Sequence, residues 1–230
     1  MSTQPLNLFL DSSDLTEVKK CLSAGIIQGV TTNPTIMKSQ GLKSGVENLK
    51  QSCIEIANLI KPYPLSIELL TNNSEAMIEQ AQEFSSWAAN INIKIPIHGV
   101  DGGMGNLEVI HRLHDEFKIK INATAIMSAQ QALLAAYAGA EYTSIFCGRI
   151  KNMGHVAENE LEKARKLING AATQTRIIAC SVREISNITE WLMAGADIVT
   201  VPFNFLKQAQ DHPYSKETVK MFLEDAKNWL

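Results

Sequence analysis

The hexapeptide INIKIP at residues 91–96 alternates Ile91, Ile93 and Ile95 with Asn92, Lys94 and Pro96. Period-two alternation marks a β-strand, whose successive side chains point to opposite faces. Short β-branched runs of the same kind recur as NLFL at 7–10, GVTTN at 29–33, LSIELL at 65–70, KINATA at 120–125, YTSIFCG at 142–148, RIIACS at 176–181 and DIVTVP at 197–202. With INIKIP they make eight strand candidates. Between them lie period-3.6 patterns such as Leu15, Val18, Leu22 and Met77, Ala81, Phe84, Ala88, with helix starts signalled at Asp14/Glu17 and Asn73/Ser74. Gly25, Gly139 and Gly195 fall where helices should stop.

Alternating βα units imply a parallel sheet, and eight of them in about 200 residues imply a closed (β/α)8 barrel. An open, doubly wound sheet usually has a glycine-rich first turn, and the first turn here, DSSDL, has no glycine. The expected fold class is therefore α/β: a single (β/α)8 barrel domain over 1–230, with an extra C-terminal helix at 213–230. On that helix Val219, Phe222, Leu223, Ala226 and Leu230 form an apolar stripe, which lies on its own barrel or on a neighbouring subunit. The glycine-rich stretch GVDGGMG at 99–105 fits neither a P-loop nor dinucleotide spacing and is read as a βα loop.

Composition narrows the function. The balance of 21 Lys+Arg against 24 Asp+Glu, a net charge of -3, offers no field for polyanions, so no nucleic-acid partner is expected. The chain has no run of about 18 apolar residues and no basic segment leading into an apolar one, which predicts a cytoplasmic protein without a membrane partner. Cys21, Cys53, Cys147 and Cys180 are scattered without a CxxC pair, so neither a zinc site nor a disulfide framework is expected, and no cofactor is implied.

Strand phase locates the polar groups. Both faces of a parallel barrel strand are buried, so the apolar set packs on helices and the polar set points to the axis. Leu65, Ile67 and Leu69 oppose Ser66 and Glu68; Leu8 and Leu10 oppose Phe9 and Asp11; Ile121 and Ala123 oppose Asn122 and Thr124. Asp11, Glu68, Lys94 and Thr124 should converge at the C-terminal ends of four strands, where barrel active sites are found. By the same parity Thr31 pairs with Asn33, Ser144 with Phe146, and Ser181 with Arg183. Cys147 and Cys180 fall out of phase with this set and are read as packing residues.

An inward lysine has two readings. Burying an ammonium costs several kcal/mol unless it is paired or deprotonated. It is either a nucleophile for imine formation with a carbonyl substrate, or a structural ion-pair partner of Glu68 or Asp11. Arg149 and Arg183 end adjacent units and, with Ser181, either clamp a phosphate or pair with surface acids such as Glu184. A lysine site and a dianion site facing one pocket suggest a sugar phosphate. His98, near the end of strand four, has no spaced partner that would make it a metal ligand and is read as a polar loop residue.

Nearly end to end, the chain resembles the transaldolase family, in particular the short subfamily that includes the fructose-6-phosphate aldolases. The resemblance is carried by FLDSSD at 9–14, GVTTNPT at 29–35, IKIP at 93–96, AGAEYTSIFCGRI at 138–150, ACSVR at 179–183 and TVPF at 200–203. It implies a class I, metal-free reaction in the pentose phosphate pathway, in which Lys94 forms a Schiff base with a ketose phosphate. Asp11 would take the proton from the C4 hydroxyl, Asn33 would bind the enamine, and Glu68 and Thr124, with Thr31 nearby, would hold a proton-shuttling water. Arg149, Arg183 and Ser181 would hold phosphate, with Ser144 and Phe146 lining the substrate site. The aldolases of the subfamily carry Gln where this chain has Glu68 and Tyr where it has Phe146, so both positions resemble a transaldolase. The alternatives are aldolase-type cleavage releasing free dihydroxyacetone, and a non-catalytic phosphosugar-binding barrel. The SSD of the first motif, the IHGVDGG after the lysine strand and the GRIKNMGHVAEN segment depart from the usual pattern, in loops over the pocket. The resemblance also implies a homo-oligomer, a pentamer or decamer, with the last helix on a neighbour.

Overall fold

The computed structural model describes residues 5–171, 173–227 and 229. Its elements run β1 (Asn7–Asp11), α1 (Leu15–Ser23), β2 (Val30–Thr31), α2 (Pro34–Ser39), α3 (Val46–Ile60), β3 (Leu65–Glu68), α4 (Ser74–Ser86) and β4 (Ile91–Pro96). They continue α5 (Gly105–Asp115), β5 (Ile121–Ile126), α6 (Ala129–Tyr137), β6 (Tyr142–Ile145), α7 (Cys147–Asn152), α8 (Ala157–Gly170), β7 (Arg176–Ala179), α9 (Asn187–Met193), β8 (Ile198–Val201), α10 (Phe203–Ala209) and α11 (Pro213–Ala226). The eight strands pair in sequence order and β8 closes onto β1, so the sheet is the parallel closed barrel expected of a (β/α)8 fold.

Local chemistry starts and stops the helices where the sequence signals stand. The Asp14 carboxylate accepts from the N–H groups of Thr16 and Glu17, and Asn73 accepts from Ala76, supplying first-turn donors with partners they lack inside the helix. The layer between strands and helices is apolar: Leu10, Val30, Leu65, Ile67, Ile93, Ile95, Ile121, Ile145 and Val199 are fully buried against Val18, Ile56, Met77, Ile110, Leu161 and other helix residues. A second, smaller cluster of Phe9, Tyr142, Ile178, Cys180 and Ile198 fills the barrel axis. The Phe9 and Tyr142 rings meet edge to face at 6.1 Å. A Cβ on Gly29 would stand 2.6 Å from the Phe9 ring, so glycine gives that ring its room. Beside β8, Arg165 of α8 pairs with the fully buried Asp197, donates to the Gly195 carbonyl at 2.9 Å, and reaches Asn169 at 3.2 Å. Asp197 also accepts from the Ile177 N–H at 2.7 Å. A buried ion pair satisfied this thoroughly ties helix to strand and leaves little for chemistry.

Several strands are shorter than their β-branched runs. β2 holds two residues, β6 stops at Ile145, and β7 stops at Ala179. The barrel needs only the paired residues; beyond them the chain turns into the next helix, so Asn33 becomes the cap of α2 and Cys147 opens α7. Among the described residues there are eleven helices, the additional ones being the second members of α2/α3, α7/α8 and α10/α11. The last helix ends at Ala226, short of the expected 230, and Leu230 of its apolar stripe lies outside the described residues. Val219, Phe222 and Leu223 are all more than half exposed, and α11 buries none of its residues. Of the 99–105 segment, residues 99–104 form a βα loop with a bridge between Gly99 and Gly102, and Gly105 opens α5. Among the described residues no helix is long and apolar enough to cross a membrane.

Candidate active site

The C-terminal ends of the strands surround a cavity of about 480 Å³, lined by Asp11, Thr31, Asn33, Glu68, Lys94, Ser144, Phe146, Arg149, Ser181 and Arg183. Every residue singled out for the site reaches this cavity except Thr124, which is buried just behind it. The cause lies in β5. Its register with β6 breaks between Ala123 and Ile126, and Ala125 takes a φ of +57°, so the backbone turns Ala125 to the cavity. The Thr124 hydroxyl has no hydrogen-bond partner among the described residues. A buried hydroxyl in that state has the means to hold a water or ligand atom.

Lys94 is 5% exposed. Its Nζ lies 3.2 Å from the Glu68 Oε2 and donates to the Thr32 carbonyl at 3.0 Å. β3 and β4 pair with Glu68 directly opposite Lys94, so the strand register itself brings carboxylate to amine. Asp11 is fixed by the Thr31 hydroxyl, which donates to its Oδ1 at 2.7 Å and also meets Thr200. Burial pushes the Asp11 carboxyl above its ordinary value of 3.8, against the lowering effects of Lys94 and the Thr31 hydrogen bond. Asn33 accepts from the Ile36 N–H at 2.9 Å through Oδ1, which caps α2 and leaves the Nδ2 donors for a ligand. Ser144 donates to Asn122, which in turn donates to Ser66, a polar chain across the barrel beneath the site.

Arg149 and Arg183 are exposed at the mouth, and among the described residues neither guanidinium pairs with a carboxylate. Arg149 lies over the Phe146 ring at 5.8 Å, a cation–π distance that holds the guanidinium at the cavity wall. The loop of Arg183 is pinned by the buried Asn187, whose Oδ1 accepts from the N–H groups of Arg183 and Glu184. Two guanidinium groups without carboxylate partners among the described residues, and Ser181, line the same cavity as the buried amine, a donor set of the kind that suits a dianion.

Cys180 packs in the axial cluster, as expected of a packing residue, but it is not out of phase with the inward set, because it also lines the cavity. The out-of-phase placement requires strand alternation to run through Ser181, but β7 ends at Ala179 and Ser181 adopts a left-handed φ of +68°. The period of two therefore breaks, and both neighbours face the site. Burial pushes the Cys180 thiol up to about 12, with Lys94 acting in the opposite direction, so it is a poor nucleophile at neutral pH. Cys147 is buried, its thiol likewise pushed well up by burial, in keeping with a packing role. Residues not anticipated at the cavity include Thr35, Ile36, Thr200 and Pro202. His98 is exposed, and its Nδ1 lies 2.8 Å from the neighbouring Gly99 carbonyl. Among the described residues no cluster of three or more His, Cys, Asp or Glu is arranged to hold a metal.

The raised Asp11 value has a measurable consequence. A carboxyl that holds its proton more tightly when folded stabilises the protein fully below its unfolded value, and that contribution is lost as pH rises through the folded value. Asp11→Asn keeps an acceptor for Thr31 and removes the ionisation. The Tm of the wild type minus that of Asp11→Asn should grow more positive as pH is lowered from about 8 toward about 4; a difference that grows in the opposite direction would contradict the burial argument.

Comparison with known proteins places this geometry. The family model for transaldolase/fructose-6-phosphate aldolase matches residues 8–230. A probable transaldolase of Carboxydothermus hydrogenoformans is 40% identical over 220 residues, covering 96% of this chain and 97% of its own. One from Halalkalibacterium halodurans is 33% identical, covering 97% of this chain and all of its own. Among solved structures, thiamine phosphate pyrophosphorylase from Pyrococcus furiosus superposes with a TM-score of 0.60 at 12% identity over 86% of this chain and 85% of its own, a likeness of barrel fold alone. With the model matched from the first strand through the last helix and relatives this similar along their whole length, the chain belongs to the transaldolase/fructose-6-phosphate aldolase family.

Proposed function

We propose that the protein is a cytoplasmic class I transaldolase that moves a dihydroxyacetone unit from fructose 6-phosphate or sedoheptulose 7-phosphate to an aldose phosphate, as in the pentose phosphate pathway. The observation that carries this reading is a buried lysine, 3.2 Å from a carboxylate, sharing one cavity with two arginines.

Lys94 attacks the ketose C2 carbonyl in its neutral form, with Glu68 in reach of the proton it sheds. Loss of water gives the iminium on Lys94. A water held between Glu68 and the Thr124 hydroxyl carries protons in this step and in the reverse hydrolysis. Asp11 then removes the C4 hydroxyl proton; the C3–C4 bond breaks, its electrons flow into the iminium, and an aldose phosphate leaves. A carboxyl raised by burial is suited to take and return that proton. Asn33 holds the remaining three-carbon enamine through its Nδ2 donors, and Ser144 lines the same wall. Addition of the enamine carbon to the aldehyde of erythrose 4-phosphate or glyceraldehyde 3-phosphate forms the new C3–C4 bond, Asp11 returns its proton to the new C4 oxygen, and hydrolysis of the regenerated iminium releases the product ketose phosphate and frees Lys94. No cofactor or metal is needed, because the iminium formed on Lys94 is the electron sink.

Phosphate binding by Arg149, Arg183 and Ser181 favours phosphorylated partners, each charge-assisted bond contributing about 1.5–3 kcal/mol. Phe146 supports transfer over simple cleavage: it supplies no hydroxyl to the catalytic water, and the enamine lasts until an acceptor arrives. Fructose 6-phosphate supplied with erythrose 4-phosphate should yield sedoheptulose 7-phosphate and glyceraldehyde 3-phosphate. Without the acceptor, little free dihydroxyacetone should appear. Rapid release of dihydroxyacetone in the absence of any acceptor would favour the aldolase reaction instead.

We also propose that the protein is a homo-oligomer, a ring of five or a stacked pair of rings, with α11 packed on a neighbouring subunit. The support is the unburied α11, which carries Tyr214, Met221, Phe222 and Leu223 all more than half exposed. Exposed apolar surface of this extent on one helix is characteristic of an interface. Light scattering should give a pentamer or decamer for the full chain and a smaller species after removal of residues 213–230; a monomeric full chain would contradict the proposal.

A further inference from the structure

The two elements that bear the arginines approach more closely than side chains ordinarily permit. The first turn of α7, which leads into Arg149, packs against the segment after β7, which carries Ser181 and Arg183. The Gly148 N–H donates to the Cys180 carbonyl at 3.3 Å. A Cβ at position 148 would stand 1.8 Å from the Ser181 carbonyl oxygen, and 2.9 Å from both its carbonyl carbon and its Oγ. Cβ atoms essentially never approach within 3.0 Å, so any other residue would drive the two segments apart by about an ångström. The backbone of Gly148 is not left-handed, so space rather than conformation demands glycine there. Ser181 has little freedom to yield, since it already sits at a φ of +68°, in a region that L-residues seldom occupy.

We propose that Gly148 is a positioning residue for phosphate recognition. Its missing Cβ sets the separation between Arg149 on one side and Ser181 and Arg183 on the other, and so selects phosphorylated sugars. The inference rests on the reading of this cavity as a sugar-phosphate site. Lys94 and Glu68 are paired across β4 and β3 and neither belongs to the α7–β7 contact, although Cys180 of that contact lines the same cavity; imine formation with an unphosphorylated ketone, which has no phosphate for the two segments to hold, is therefore the control reaction.

The test compares wild type, Gly148→Ala and Arg183→Ala on two substrates. For fructose 6-phosphate with erythrose 4-phosphate, Gly148→Ala should lower kcat/KM by roughly 100-fold, chiefly through KM, as expected for an ångström-scale misplacement of binding groups. Borohydride trapping of unphosphorylated dihydroxyacetone on Lys94 should proceed in that variant as in the wild type. Arg183→Ala should show the same loss, chiefly in KM, with the phosphorylated sugars. A Gly148→Ala protein that keeps the wild-type preference for the phosphorylated sugar overturns the inference. So does one that is insoluble or also loses dihydroxyacetone trapping, since Gly148 would then serve the barrel rather than the clamp. If the wild type itself treats phosphorylated and unphosphorylated sugars alike, the sugar-phosphate reading fails first and the inference with it.

Discussion

The position of one amine governs the interior of this barrel. Lys94 points to the axis of a closed parallel sheet, where water cannot follow freely, and such a group must be paired or neutral. Glu68 answers it from the adjacent strand at 3.2 Å, delivered by strand register, and the Thr32 carbonyl, one residue past the end of β2, accepts from it at 3.0 Å. Below that level the axis holds the hydrogen-bonded chain of Ser144, Asn122 and Ser66 and the cluster of Phe9, Tyr142, Ile178 and Ile198, a packed floor that leaves little room for solvent and strengthens the electrostatic interactions above it.

The molecule uses buried ionic groups in two contrasting ways. Arg165 and Asp197 join a helix to a strand, and nearly every polar atom of the pair has a partner within the fold. At the mouth of the barrel the groups are held but not used up. Asp11 is positioned by Thr31 while burial disfavours its charge, the Thr124 hydroxyl lacks a partner among the described residues, and Arg149 rests on a ring rather than on a carboxylate. A satisfied pair is structure; positioned groups with capacity left over are what a reacting ligand requires.

Much of this was legible because a barrel strand imposes a strict period of two. The alternation in INIKIP, LSIELL and NLFLD is enough to put Lys94, Glu68 and Asp11 on the axis, and the structure brings all three to one cavity. Legibility ends where the strands end. At β7 the left-handed Ser181 breaks the alternation and brings Cys180 to the cavity, and no sequence pattern marks a serine for that conformation. At β5 a register break turns Ala125 rather than Thr124 to the cavity surface. Asn33 carried a usable signal: an asparagine followed by Pro34 is a helix cap with proline at the first helical position, a better description than the end of a strand. The close approach at Gly148 leaves no trace in composition or periodicity, because it depends on two segments that meet only in the folded barrel.

The central claim is that Lys94 is a nucleophile and not merely the partner of Glu68. Borohydride reduction in the presence of fructose 6-phosphate, followed by peptide mass spectrometry, addresses it directly. The account predicts a reduced three-carbon adduct on the peptide containing Lys94, absent from a folded Lys94→Ala protein. A wild-type enzyme that shows no adduct at Lys94, or a Lys94→Ala barrel that fails to fold because it needed the ion pair, would contradict it.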